Sequence, residues 1–402
     1  MLTRHARRAA LLLGVIIVGA IVRPSLGQPR EPGFGDPMSE LLPAEFERFR
    51  LGLDDFLEVE TAEEGLGPSF NGTSCAGCHS IPAVGGVGLV SEVRAAYREP
   101  QGNVRPLSAP DGTPLDTLFH LFSVPAHACQ PVIPPEANVI ARRIPIPLFG
   151  AGLVEAIPDE VLLSLADPND VNADGISGRA AVVLDVSTGS QRVGRFGWKA
   201  QHATLRSFSA DAYRNEMGIT NELFPRELAV GVSPEALRLC DPTPDPEDLP
   251  DRRTRLAAID NFEAFMKFLA RPSRGAIDAT TLAGERVFRE VGCTLCHVPA
   301  LQTGASTHPL FDRQSVSLFS DLLLHDVATG DFIPQASALP EEIRTPALWG
   351  LRVRRPFLHD GSARTVEESI LRHGHEAETA RQRFERLRPG ERSALLAFLN
   401  SL

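Results

Sequence analysis

The chain has almost no lysine: Lys199 and Lys267 are the only two among 40 basic residues, so arginine carries nearly all the positive charge. Acid outnumbers base, the net charge is −11, and there is no basic patch or stripe, which excludes a nucleic-acid footprint. An acidic surface suits a basic electron-donor protein, and equally suits plain solvation. Beyond the N-terminus no apolar run is long enough to span a bilayer. Strand-like alternation is scarce, low-complexity tracts are missing, and nothing repeats except one five-residue motif. After residue 27 methionine is confined to Met38, Met217 and Met266. Of the six cysteines, four belong to the repeated motif.

That motif is Cys75-Ala-Gly-Cys78-His79 and again Cys293-Thr-Leu-Cys296-His297. Two thiols at this spacing can bond the two vinyl groups of one porphyrin, and the histidine that follows is placed to bind its iron. A zinc site would need a second ligand pair at matching spacing, whereas Cys129 and Cys240 stand alone. A thioredoxin-type redox pair has no use for the histidine. The motifs therefore predict two covalently bound haem c groups. Cys129 and Cys240 could form a disulfide in an oxidising compartment; the sequence leaves open whether their Cα atoms come close enough.

The N-terminus fits a haem protein matured outside the cytoplasm. Arg4, Arg7 and Arg8 precede a short apolar run from Ala9 to Val22, and Ser25-Leu26-Gly27 offers small residues for cleavage. Residues 1–27 are read as a signal peptide, giving a periplasmic or secreted protein with no membrane span after cleavage. Proline and glycine, 33 of each, cut the remainder into short segments. Helical periodicity is clearest over Pro158–Ala166, Arg255–Leu269, Thr281–Val291, Thr365–His373 and Pro389–Leu402. The expected fold is mainly α, with helices packed around each porphyrin. The first haem domain would span 28–270 with a long loop-rich insertion from Ser80 to Arg195, and the second 271–402, divided at the Pro/Gly break Arg271–Gly275. Within the insertion, Asp170, Asn172 and Asp174 precede Gly175 as in the first half of a calcium loop, though Ala181 stands where a bidentate acid belongs. The other reading of that segment is an Asx-rich turn capping its own backbone.

Three long segments, Gly65–Gly86, Phe196–Thr220 and Arg344–Ala377, resemble the bacterial di-haem oxidoreductases known as peroxidases or thiol oxidoreductases, relatives of the di-haem cytochrome c peroxidases. The resemblance covers nearly the whole chain after residue 27. It implies two cytochrome-c-like domains, an active first haem and an electron-transfer second haem. In those peroxidases a methionine fourteen residues beyond a His-Asp-Gly histidine binds the second iron; counting from His359 lands on His373. The resemblance thus implies His297 with His373 as axial pair, with His375 the nearest competitor and a helix C-terminal role the plain alternative. His359 would hold its own turn.

The middle segment matches a distal region in which a tryptophan lies between the haems and a Glu-Met-Gly motif sets a carboxylate above the first iron. Trp198 and Glu216 take those roles by resemblance, Glu216 as the acid–base group for peroxide heterolysis, unless it is a surface helical carboxylate. The peroxidases' distal glutamine, ten residues before the glutamate, is replaced by Arg206; Phe208 would make the pocket apolar and favour dioxygen or an apolar substrate, and Gln201 is the one glutamine nearby. Met217 could instead close the first haem as a thioether ligand, and adjacent helical residues point about 100° apart, so both cannot approach from one helix. His120, His127 and His202 are weaker candidates for that position. Lys199, Arg142 and Arg143 are candidates for haem propionates, and His325 for a propionate or a turn. The resulting expectation is a peroxide-reducing enzyme fed by a small cytochrome or cupredoxin and acting on peroxide or another small oxidant. Against it stand a non-catalytic di-haem electron carrier and a di-haem oxygenase or protein-modifying oxidase.

Overall fold

Two helix pairs organise the chain, each beside one cysteine motif. In the computed structural model, α1 (Pro43–Leu57) packs along α3 (Ala258–Phe268), and α2 (Leu205–Met217) leans on the same α3. In the second half α4 (Ala279–Val291) packs along α6 (Pro389–Leu399), with α5 (Val366–Leu371) alongside. Both principal pairs cross at a glycine. A Cβ on Gly52 of α1 would lie 2.2 Å from the Asn261 carbonyl oxygen, and one on Gly284 of α4 would lie 1.9 Å from that of Ala394. Neither approach tolerates a side chain. Phenylalanines fill each crossing: Phe49, Phe56 and Phe265 in the first, Phe288, Phe319 and Phe398 in the second.

The structure describes residues 31–108, 112, 115–124, 129–228, 230–241 and 243–402. The expected signal peptide (1–27) and His127 lie outside the described residues. Pro32–Leu402 form one compact unit. The core around α1, α2 and α3 also takes in Leu301, Phe311, Val316, Leu318 and Trp349 from beyond the expected boundary at 271. Among the described residues no helix is long and apolar enough to cross a membrane.

The expectation of a mainly α protein needs correction: the fold is mixed, 31% helix and 13% strand among the described residues. Much of the strand lies in the 80–195 segment, where β1 (Glu92–Arg98) pairs antiparallel with β2 (Val104–Arg105), β3 (Leu118–Phe119) and β4 (Val139–Arg143). The β1–β4 register sets Glu92 opposite Arg143 and Ala96 opposite Val139. These strands hid from a periodicity reading because most have only two to five residues, and because β1 is buried on both faces from Val93 to Ala96 and so does not alternate. Cys129 and Cys240 form a disulfide with Cα atoms 5.9 Å apart, and the four motif cysteines are free.

The helices expected from periodicity form close to their anticipated bounds: Asp159–Leu165, Ala258–Phe268, Ala279–Val291, Val366–Leu371 and Pro389–Leu399. Capping fixes several starts. Thr204 accepts a hydrogen bond from the Ser207 amide and Thr365 from that of Glu368, contacts typically worth about 1 kcal/mol each.

Candidate functional site

Each Cys-X-X-Cys-His segment is a single helical turn at the edge of a cavity. The first cavity is lined by Cys75, Cys78 and His79 together with Glu216, Trp198 and apolar residues such as Phe56, Phe262 and Met266. The second is lined by Cys293, Cys296 and His297 together with His373, Trp198 and His359. The two histidines of the motifs are held alike. His79 Nδ1 donates to the Gly86 carbonyl at 2.9 Å and His297 Nδ1 to that of Phe319 at 3.0 Å. A carbonyl only accepts, so each ring carries its proton on Nδ1 and keeps the Nε2 lone pair. Burial pushes both imidazoles down to about 4, which keeps them neutral and able to ligate. Phe56 and Phe288 pack at corresponding distances, 6.1 Å and 6.3 Å, from the two rings.

The far walls differ. In the second cavity His373 follows α5 and donates from Nδ1 to the Ser369 carbonyl at 2.7 Å, so its Nε2 is also free of a proton. It is close enough that its charge depresses His297 further. His375 is exposed and bonded to Asp326 at 2.8 Å, away from the cavity. Among the described residues no second histidine lines the first cavity. His120 spends both nitrogens, on Ser69 and on the Asn215 carbonyl, and His202 binds Asp211.

Glu216 sits at the end of α2 because the helix stops there. Gly218 adopts φ 72°, and a Cβ on it would lie 2.6 Å from the Ser69 carbonyl oxygen. The chain around residues 67–72 closes on the helix end: the amides of Asn71 and Gly72 donate to the Glu216 carbonyl, and that of Gly67 to Met217. The Asn71 side-chain amide donates to Glu216 Oε2 at 2.9 Å. Burial, and then the nearby Glu92 carboxylate, push the Glu216 carboxyl up to about 8. Met217 also lines this cavity. Both adjacent side chains are therefore wall residues of the one cavity.

Arg206 does not replace the missing glutamine in space; it is paired outside the cavity with Asp260 and Glu222. Gln201 does line the cavity, its amide lying over Gly197, together with Phe208, which stacks on Phe196 at 5.8 Å. Trp198 lines both cavities and donates from Nε1 to the Ile144 carbonyl at 2.8 Å.

A buried chain of ion pairs, missed in the sequence, walls the first cavity: Arg94–Glu92 at 2.7 Å, Arg143–Asp331 at 2.6 Å and Lys199–Asp331 at 3.1 Å, with Glu92 and Arg143 3.7 Å apart. Charged residues inside a buried strand, Glu92 and Arg94 on β1, were the available signal. Of the three cations considered for propionates, Lys199 is consumed by Asp331 and three carbonyls, and Arg142 is exposed. Arg143 lines the cavity with its Nη2 buried and unpartnered. That orphan donor, beside two free thiols and an Nε2 lone pair in a largely apolar hollow, fits a haem with its acid edge toward Arg143. His325 bridges Asp321 at 2.9 Å and Glu376 at 2.8 Å, and these bonds outweigh its burial and hold its imidazole well above the ordinary range. In the loop expected to bind calcium, Asp170, Asn172 and Asp174 accept the loop's own amides, those of Asp174, Gly175 and Ile176.

Two such cavities in one chain are what a di-haem protein requires. The chain belongs to the di-haem oxidoreductase family: the family model described as "Di-haem oxidoreductase, putative peroxidase" matches residues 134–402. No curated protein matches the chain. Among solved structures it is similar to Kuenenia stuttgartiensis hydrazine synthase (16% identity, 98% of this chain and 100% of the other, TM-score 0.40). It is also similar to the diheme peroxidase BthA of Burkholderia thailandensis (16% identity, 89% and 86%, TM-score 0.38). A third likeness is to a MauG-like protein associated with microbial copper homeostasis (17% identity, 63% and 89%, TM-score 0.31). At those scores the three likenesses bear neither on the activity nor on the roles of individual residues.

Proposed function

We propose that this oxidoreductase binds two haem c groups, reduces peroxide at the first and receives electrons through the second. The observation that carries the proposal is the asymmetry of the two linings: Glu216 shares the first cavity with His79, and His373 shares the second with His297. When bound, a haem supplies an iron that accepts a sixth ligand and changes oxidation state. Cys75 and Cys78 would attach the first and His79 hold its iron, leaving a distal space bounded by Glu216, Gln201 and Phe208. Cys293 and Cys296 would attach the second, with His297 and His373 on either side. The carboxylate of Glu216 takes the proton of an incoming peroxide and, as carboxylic acid, returns it to the departing oxygen; Asn71 keeps Oε2 in place. Trp198, common to both cavities, is the route for electrons between them.

Haem-bearing halves at 28–270 and 271–402 remain our reading of the organisation within one unit. The Cys129–Cys240 disulfide and the basic–apolar N-terminus support a periplasmic or secreted location. The electron donor is then a small cytochrome or cupredoxin. Calcium in the 170–178 loop would need Asp170, Asn172 and Asp174 to exchange their amide donors for the ion. One observation favours the alternative of a pure carrier: Met217 and Met266 both line the first cavity, and a thioether there would close the iron.

A pyridine haemochrome assay and a cyanide titration test the proposal together. Two haems per chain and one cyanide bound per chain are expected. One haem per chain refutes the cofactor assignment, and two haems with no cyanide bound promote the carrier.

A further inference from the structure

On the Trp198 side of the second cavity lies a charge that no carboxylate among the described residues pairs with. Arg354 is buried, its guanidinium stands 5.4 Å over the Trp198 ring, and its Nε has no hydrogen-bond partner. Among the described residues no carboxylate forms an ion pair with it. Arg344, also buried, lines the same cavity; it donates to the Gly197 and Thr345 carbonyls and likewise has no ion pair. Beside them His359 is buried, edge-on to Trp198 at 6.1 Å, and its Nδ1 is unpartnered. Burial pushes both guanidinium groups down to about 10, and Arg354 disfavours the charge on Arg344 as well. Asp321, itself held by His325, favours the charge on Arg344 from a distance, but among the described residues no carboxylate pairs with either guanidinium, and leaving buried cations unpaired is costly. Native proteins offset that penalty with an anion.

We infer that Arg344, Arg354 and His359 Nδ1 form a carboxylate cradle that holds the propionate edge of the second haem against Trp198. The inference rests on the second haem proposed above. A propionate is an anion that a haem at Cys293 and Cys296 brings into this cavity, and Arg forks suit carboxylates. His359 would act through its ring and not only through its turn. Of the other charged groups lining the cavity, His325 is engaged by Asp321 and Glu376, Arg381 by Glu378 and Glu385, and the exposed Asp174 by Asn172; Arg383 has no ion pair but is exposed to solvent and donates to the Val291 carbonyl. Seated there, the acid edge of the porphyrin would touch the indole that lines both cavities, and the Arg354 cation over the ring would make that indole harder to oxidise.

The test is a spectroelectrochemical titration of the second haem in the wild-type holoprotein and in Arg354→Gln, between pH 5 and pH 8. With Arg354 present the propionate stays ionised and paired, so the wild-type midpoint contains no contribution from it. Without Arg354 only Arg344 is left to pair with the two propionates of the haem edge, so one propionic acid ionises within this range, and each lost proton adds a negative charge that favours ferric iron. The variant midpoint should match wild type at the acid end and fall below it as pH rises, by up to a tenfold change in the reduction equilibrium, 59 mV for one electron. A midpoint equal to wild type throughout, or a parallel offset without a pH slope, overturns the inference. So does a wild-type midpoint that follows added phosphate or acetate, which would assign the cradle to a free anion. If Arg354→Gln does not fold, Arg354→Lys keeps the charge but loses the fork. The propionate bending band in its resonance Raman spectrum should then shift, and an unshifted band refutes the cradle. Haem stoichiometry is measured first: fewer than two haems in wild type defeats the underlying haem assignment rather than the cradle.

Discussion

The two cavities begin alike and end differently. Each has a cysteine turn, a histidine fixed through Nδ1 to a backbone carbonyl, a phenylalanine about 6 Å from that histidine, and a helix pair crossing at a glycine. The half that holds a porphyrin is therefore common to both. The opposite wall is not: α2 ends on Glu216 in one, and the turn after α5 presents His373 in the other. A ligand strong enough to stay on the iron makes a site that only passes electrons. A titratable oxygen at that position leaves the iron free for chemistry. In the function proposed above, one supporting architecture serves two roles by changing which residues share the cavity with the cysteine turn.

The largest break in that comparison is expected from His373→Gly. Removing the second imidazole should convert one low-spin haem to high spin, and the number of cyanide ions bound per chain should rise from one to two. Added imidazole should restore the original spectrum. An unaltered spectrum would remove His373 as ligand. Next is Glu216→Gln, which keeps shape but cannot accept the proton. General acid–base assistance is worth about 10²–10⁴-fold, so peroxide-driven oxidation should slow by at least about 100-fold while cyanide binding persists. Stopped-flow rates equal to wild type would leave Glu216 without a catalytic role.

Much of this contrast was legible in the sequence. Two thiols and a following histidine at this spacing single out Cys75, Cys78 and His79 and again Cys293, Cys296 and His297 from local sequence, and the structure puts both turns at cavity edges. The count from His359 pointed at His373, and the structure puts that residue, not His375, on the cavity wall. Longer-range features were illegible because they depend on what folding brings together. Glu92 and Arg143 are 51 residues apart and become neighbours only through the β1–β4 register. Arg354 lies in Arg352-Val-Arg354-Arg355, a run that had no role assigned from sequence, yet it is buried against Trp198. The short strands of the 80–195 segment lacked a periodicity because a strand of two residues has none.

A smaller effect should separate the cavities by pH. Glu216 is pushed up to about 8, chiefly by burial, so at pH 6 nearly all of it is protonated and unable to act as base. Raising the pH increases the carboxylate population about tenfold per unit until it passes 8, and the peroxide rate should follow that rise and then level off. Glu216→Gln should flatten the profile. The second haem has no such group across from His297, so its spectrum should not change over the same interval. A wild-type rate independent of pH from 6 to 9 would mean that the reacting base is another group.

Gln201 should give the smallest change. Its amide reaches the first cavity from the short segment after Trp198, whereas peroxidases draw their distal glutamine from a position occupied here by Arg206, which points elsewhere. If Gln201 serves as the distal amide, Gln201→Leu removes one neutral hydrogen bond to the bound oxidant. Such a bond is typically worth about 1 kcal/mol, so the rate should fall about fivefold. The loss should fall on peroxide reactivity and spare the second haem entirely. A second variant, Phe208→Gln, places an amide on the same wall from α2, and combining it with Gln201→Leu should recover part of the rate. If Gln201→Leu is silent and Phe208→Gln alone accelerates the reaction, the first cavity works without a distal amide. Its apolar wall would then be the feature that sets it apart from the peroxidases it resembles.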